Sequence, residues 1–211
     1  MPRTNTRSRS GTRGPGLHHD RRRAEIADAV LDVVAERGLP AVSLTEVAAR
    51  ADVSPGRVQH YFPAKRQLIE AAFDRGNARS EARIRSRLGC DPDEAAPDEV
   101  LAVVLDELIP YDDASRAHLR VRHDFNARAL ADPAIADRVR ALHAGLHRRL
   151  AACLVRCRQA GSPPREGEPE ATAVALVSQA EGLAYHVLLG TAQADTARAT
   201  VRSALQGALA P

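Results

Sequence analysis

One stretch, Ser43 to Lys65 (SLTEVAARADVSPGRVQHYFPAK), leaves this chain few ways to fold. Ser43 followed three residues on by Glu46 is the signature of a capped helix start. Leu44, Val47, Ala48 and Ala51 then recur at helical spacing for about two turns. Asp52 falls where the chain must turn, and Asp tolerates left-handed backbone better than most residues, though less well than glycine. Ser54 and Pro55 restart a helix at once, as N-cap and first helical residue. Two helices joined so tightly fit a helix-turn-helix, whose second helix enters the DNA major groove.

The residues of that second helix fit the same reading. From Val53 to Ile69 there is no Asp or Glu, whereas Arg57, Lys65 and Arg66 are cationic. The side chains suited to phosphates or base edges are Thr45, Ser54, Arg57, Gln59, His60, Tyr61 and Lys65. Arg57 and Gln59 are expected to read bases, and His60, Tyr61 and Lys65 to hold phosphates. Lys65 is the chain's only lysine, a compact charge suited to one phosphate contact. Residues 1–65 carry 11 Arg and Lys against 7 Asp and Glu, and residues 66–211 carry 19 against 20. Positive charge is thus confined to the end that holds the motif, as nucleic-acid binding requires.

These residues resemble the DNA-binding signature of the tetracycline-repressor (TetR) family of bacterial regulators. Gly38, Ser43, Val47, Ala48, Ala51, Val53, Ser54, Gly56, Tyr61, Phe62, Lys65 and Leu68 stand where that pattern has its characteristic residues. Asp52 replaces the usual turn glycine, and Gln59 replaces the usual tyrosine. The variant VQHYF is similar to the branch of betaine-responsive regulators. The resemblance is strong over roughly residues 20–70 and a matter of layout beyond. It implies a dimeric, cytoplasmic, ligand-responsive repressor without enzymatic activity or cofactor. Such a protein binds a near-palindromic operator in double-stranded DNA, and its last two helices pair in the homodimer.

The remainder of the chain predicts an all-α protein: a three-helix N-terminal helix-turn-helix domain, then a helical ligand-binding and dimerisation domain. Only 3% of residues are aromatic and Trp is absent, so Leu, Val and Ala must fill the core. The expected divisions are a disordered basic arm over 1–18, a DNA-binding domain over 19–65 and a regulatory domain over 66–211. The arm reads as a solubilising tail or as a minor-groove arm. Asp20 to Arg37 forms the first helix, with Ile26, Val30, Val33 and Val34 inward and Glu25, Asp28, Asp32 and Glu36 on the solvated face. Its basic start, Arg21 to Arg23, is its expected contact with DNA.

A long helix follows over about 64–88, with Leu68, Ala72, Ala78 and Ile84 on its apolar side. It is the element expected to carry movement between the domains. Further helices are expected over about 97–109, 113–130, 133–159, 169–189 and 195–209, with a loop at Gly161 to Gly167. In the helix 133–159 the stripe Ile135, Val139, Leu142, Leu146, Leu150, Cys153 and Cys157 reads as core. The helix 169–189 is apolar on nearly every side, which implies a partner surface beside the core. No apolar run approaches the roughly 20 residues a membrane helix needs.

His143 and His147 have metal-compatible spacing, but the six residues from His147 to Cys153 span about 9 Å of helix. The His and Cys pairs therefore cannot share one ion, and no metal is expected. Three cysteines without a disulfide layout suit a reducing cytoplasm. Switching by thiol oxidation through Cys153 or Cys157, or by a metal, stands as the alternative to an organic effector; an all-helical interaction module is a further one. His123, Asn126, His143 and Tyr185, polar on mostly apolar faces, are the candidate lining of a small-molecule pocket. Glu181, on the most apolar helix, needs a partner: a ligand cation, an arginine such as Arg120, or a helix end.

Overall fold

The computed structural model describes residues 15–158 and 168–210. All regular structure among them is helical. In order, the helices are α1 (Pro15–Arg37), α2 (Leu44–Arg50), α3 (Pro55–Tyr61), α4 (Lys65–Leu88), α5 (Pro97–Glu107), α6 (Asp113–Ala129), α7 (Pro133–Arg158), α8 (Glu168–Leu189) and α9 (Ala194–Leu209). A 3-10 turn, Leu39–Ala41, lies between α1 and α2. Residues 1–14 of the expected arm and the loop Gly161 to Gly167 lie outside the described residues. Residues 15–18, assigned to that arm by sequence, belong instead to α1, which starts at Pro15 rather than Asp20. Proline suits a first helical turn, where its missing N–H costs nothing.

The helix ends follow local chemistry. Gly38 and Gly89 take positive φ, 77° and 71°, just past α1 and α4. Asp112 accepts from the Ser115 backbone N–H at 2.7 Å, and the Ser115 hydroxyl faces back to the start of α6. Pro97 and Pro133 open α5 and α7.

Two hydrophobic cores form, and they do not meet at residue 65. The first joins α1 to α4 around Ile26, Val30, Val34, Val58, Phe62 and Leu68, and takes in Ala117, Val121 and Phe125 of α6. The second gathers α5, α7, α8 and α9, with Leu119 of α6. α6 thus places adjacent faces in both cores. Phe73 of α4 stacks on Phe125 with centroids 4.1 Å apart, and the Arg138 guanidinium lies over both rings.

Several expected faces turn out otherwise. Asp28 is not on a solvated face: it accepts from Arg75 at 2.5 and 2.9 Å and pairs with Arg79 at 3.0 Å, tying α1 to α4. Ala78 is exposed, because the buried side of α4 is Leu68, Ile69, Ala72, Phe73 and Gly76. Leu142 is 46% exposed, since the middle of the α7 stripe opens onto a cavity instead of the core. α8 is, by length and composition, apolar enough to cross a membrane, contrary to the sequence expectation. Its apolarity has a local explanation: Leu176, Val177, Ala180, Ala184 and Val187 pack in the second core.

Gly76 marks the closest approach of α4 to α6. A Cβ there would stand 2.1 Å from Cδ2 of His118. His118 cannot easily retreat, because its Nε2 is hydrogen-bonded to Asn77 Oδ1 at 3.0 Å. Gly76→Ala should therefore destabilise the fold by about 1–3 kcal/mol through overpacking. Comparison of urea midpoints with those of Ala78→Gly, an exposed control on the same helix, checks this.

Candidate nucleic-acid interface and regulatory cavity

α2 and α3 are each 7 residues long, too short to persist alone, so their ends must be fixed from outside. Ser43 Oγ accepts from the Glu46 N–H at 3.1 Å. Only this half of the capping box forms, because the Glu46 carboxylate pairs with Arg37. After α2, Asp52 adopts φ 51°, its N–H reaches Ala49 O at 3.4 Å, and the Val53 N–H reaches Ala48 O at 3.0 Å. That is a Schellman turn with aspartate in the left-handed position usually held by glycine. Ser54 Oγ then accepts from the Arg57 N–H at 3.2 Å and starts α3.

The far end of α3 is held by α1. Arg23 donates to Tyr61 O at 3.0 Å and lies over the Phe62 ring at 4.4 Å. Arg21 and Arg22 both pair with Glu25. The basic start of α1 is therefore engaged with protein groups, Arg23 as a clamp on α3. Val58 and Phe62 are buried, which anchors one side of α3 in the first core. Its other side carries Ser54, Arg57, Gln59 and His60, all exposed, with Tyr61 half-buried beside them. Thr45 and Lys65 are exposed as well. Among the described residues Arg57 and Lys65 have no acidic partner, whereas the neighbouring Arg66 is tied to Glu70 and Asp132.

The second site is a cavity of about 280 Å³ between α4, α6 and α7, edged by α5 and α8. Phe73, Ile84, Leu142 and Leu146 give it apolar wall, and Asn126, His143, Arg122 and Glu181 give it polar wall. Asn126 and His143 of the four expected residues come together here. His123 and Tyr185 do not line it; their rings pack edge to face at 5.3 Å. Glu181 meets His143 at 3.3 Å and Arg122 at 3.8 Å, not Arg120. Burial pushes the Glu181 carboxyl up, but the His143 hydrogen bond and the Arg122 charge outweigh it and hold the group below the usual range. The same hydrogen bond raises His143. Sequence reasoning missed Arg122 and the part α4 plays as a wall. The spacing His118, Arg122, Asn126, one side chain per turn on α6, was the available signal.

A wider cleft of about 480 Å³ runs between α1 and α4. Its charges are already matched, Arg75 by Asp28, Asp74 by Arg138 and Glu70 by Arg66. Arg23, also in its lining, is held by the Tyr61 carbonyl.

A short helix presenting an uncompensated arginine behind a tight turn, with an exposed lysine just past it and a larger helical body to carry it, fits a helix-turn-helix DNA-binding regulator. The comparisons agree. Residues 26–72 match the model for bacterial regulatory proteins of the tetR family, and residues 97–210 match the C-terminal domain of BetI-type transcriptional repressors. This chain belongs to the TetR family of DNA-binding transcriptional regulators. It is 34% identical over 83 residues to the regulator BetI of Klebsiella pneumoniae, a match spanning 39% of this chain and 43% of that protein. With the regulator PksA of Bacillus subtilis it shares 25% identity over 173 residues, 82% of each chain. The fold also resembles the crystal structure of a transcriptional regulator from Saccharomonospora viridis in complex with choline. There the TM-score is 0.76 at 19% identity, over 89% of this chain and 96% of the other.

His118 gives the cavity wall a pH dependence. Burial, reinforced by the charges of Arg122 and Arg83, pushes its pKa down to about 3. The folded protein keeps it neutral where the unfolded chain protonates it near the ordinary value of about 6.5. Its contribution to stability is complete above that value and is lost as pH falls toward the folded one. The slope is about 1.4 kcal/mol per pH unit for one proton. Urea midpoints between pH 7 and pH 5 should fall accordingly, and His118→Gln should remove about one proton's worth of that slope.

Proposed function

We propose that this chain is a ligand-responsive repressor that binds a near-palindromic operator as a homodimer and releases it when a small molecule fills the α4–α6–α7 cavity. The exposed, acid-free side of α3, with Arg57 and Lys65 unpaired, carries this reading. Arg57 and Gln59 meet base edges, and Thr45, Ser54, His60, Tyr61 and Lys65 meet the phosphates on either side. The DNA-binding unit is α1 to α3 closed by the start of α4, the remaining helices form the regulatory unit, and the residues before α1 serve as a tail or a minor-groove arm. The protein works in the cytoplasm and without catalysis.

The homodimer forms through α8 and α9. Exposed Val174, Ala175, Ser178, Gly182, Tyr185 and Leu189 run along one side of α8. Ala199, Thr200, Ser203 and Gly207 run along α9. Both stripes are small or apolar, so two copies can approach closely around a twofold axis. That axis sets the two copies of α3 on one face, and an operator repeat near 34 Å follows.

A small-molecule effector is supported by the cavity and by the choline bound to the S. viridis relative. Phe73, Asn77 and Ile84 of α4 line the cavity, and Lys65 begins the same helix, so a ligand presses on the element that leads to the DNA. α6 offers a parallel route, because Val121 and Phe125 sit in the first core. Switching by thiol oxidation is less well supported. Burial pushes both the Cys153 and Cys157 thiols up, away from the reactive thiolate.

Lys65→Ala should weaken binding to every operator sequence alike and reduce the salt slope by about one. Arg57→Ala should cost about 1–3 kcal/mol and relax preference at a single position. A K65A variant with altered sequence preference and an unchanged salt slope would reverse these roles. For the dimer, sedimentation at micromolar protein should give twice the chain mass, and Gly182→Arg at the centre of the α8 stripe should give a monomer with weak operator binding.

A further inference from the structure

The α4–α6–α7 cavity offers more hydrogen-bond donors than the protein itself uses, and Arg122 is the centre of the imbalance. Its side chain is only 16% exposed, and its one anionic neighbour, Glu181, stands 3.8 Å away. It makes no hydrogen bond with any described residue. Burial pushes it below its ordinary value against the pull of Glu181. A guanidinium carries five N–H donors in a planar fork, and none of its nitrogens here is sealed from solvent, so they stand available to an entering acceptor. One turn further on, Asn126 faces the cavity without a protein partner. Arg149 is a second cation in the lining, exposed to solvent at its rim and without an acidic partner among the described residues.

The two less exposed carboxylates, by contrast, are already engaged by the protein's own donors. Glu107 accepts from Ser80 at 3.1 Å and from Arg83 at 2.8 Å, and Glu181 is held by His143. Glu81, the remaining carboxylate of the lining, is exposed to solvent. A cation entering the cavity would find no free buried carboxylate. A quaternary ammonium would also lack an aromatic box, because Phe73 is the single Phe, Tyr or Trp in the lining and Phe125 covers one of its faces.

We infer that the cavity binds a small monocarboxylate with an apolar body, its carboxylate set bidentate on Arg122 and its tail against Ile84, Leu142 and Leu146. Arginine's fork matches a carboxylate in two parallel hydrogen bonds. The volume of about 280 Å³ suits a short acyl chain or a single ring. The inference rests on the cavity being the effector site, and it separates this chain from the choline-bound relative.

The test is calorimetric titration of the full chain with butyrate, hexanoate, octanoate and benzoate, beside 1-hexanol and choline. At least one carboxylate should bind roughly tenfold tighter than hexanol or choline, and Arg122→Gln should weaken it roughly 10- to 100-fold. Arg149→Gln should weaken it less. Failure of every carboxylate, equal binding of hexanoate and hexanol, or tighter binding of choline would each overturn the inference. All three comparisons use the unaltered protein and stand even if R122Q does not fold. A carboxylate that binds through Arg122 but leaves operator affinity unchanged would support the anion site and remove the effector reading. Operator release by choline alone would do the opposite.

Discussion

The contact on which the rest of the molecule depends is the crossing of α4 and α6 at Gly76 and His118. Two helices approach this closely only where one lacks a Cβ, and here a half-buried imidazole fills the space. One turn earlier on α4, Phe73 stacks on Phe125, so the two helices are joined by an interlocked pair of rings as well as by a close approach. Both helices contribute to the first core, and both line the cavity. A change in their spacing cannot be confined to either place, because close-packed side chains transmit displacement instead of absorbing it.

Ion pairs set the register around that crossing. Asp28 ties α1 to α4, Asp132 and Arg138 tie α7 to α4, and Asp106 links Arg87 of α4 with Arg198 of α9. Partly exposed pairs of this kind contribute little stability each. Their value lies in orientation: a bidentate arginine on Asp28 accepts only a narrow range of rotations of α4 about its axis. Glu107 is a different case, buried and held by Arg83, Ser80 and the more distant Tyr111 hydroxyl. Removing Arg83 would leave a buried charge alone, a much larger penalty than breaking a surface pair.

Helix existence and order were legible in the chain because the signals are local. Pro97, Asp112, Pro133, Gly38 and Gly89 announce their helix ends within a turn, and the Ser43 to Pro55 stretch declares its own turn. The positions that misled have partners far away in sequence. Asp28 looks solvated by periodicity, and only Arg75, 47 residues on, makes it a junction. Leu142 keeps perfect helical register yet borders a cavity, since periodicity reports which residues share a face and not what that face meets. Glu181 plainly needed a partner, but nothing local separated Arg122 from Arg120. The interior glycine of α4 was the overlooked clue, because such a residue marks a place where a neighbouring helix comes close.

The single lysine has a consequence of its own. Among 211 residues, Lys65 is the one side-chain amine, and it is exposed at the first turn of α4, where the DNA-binding core gives way to the long helix. Every other cation is a guanidinium, which common amine-directed reagents leave untouched. Amine-directed acylation of this protein's side chains therefore has one address, and it removes a positive charge from the surface proposed to face DNA. A dye placed there would sit at the first turn of the long helix that runs from the first core to the cavity, with no engineered cysteine needed. With arginine in place of every other lysine, the protein offers amine-directed chemistry a single side chain.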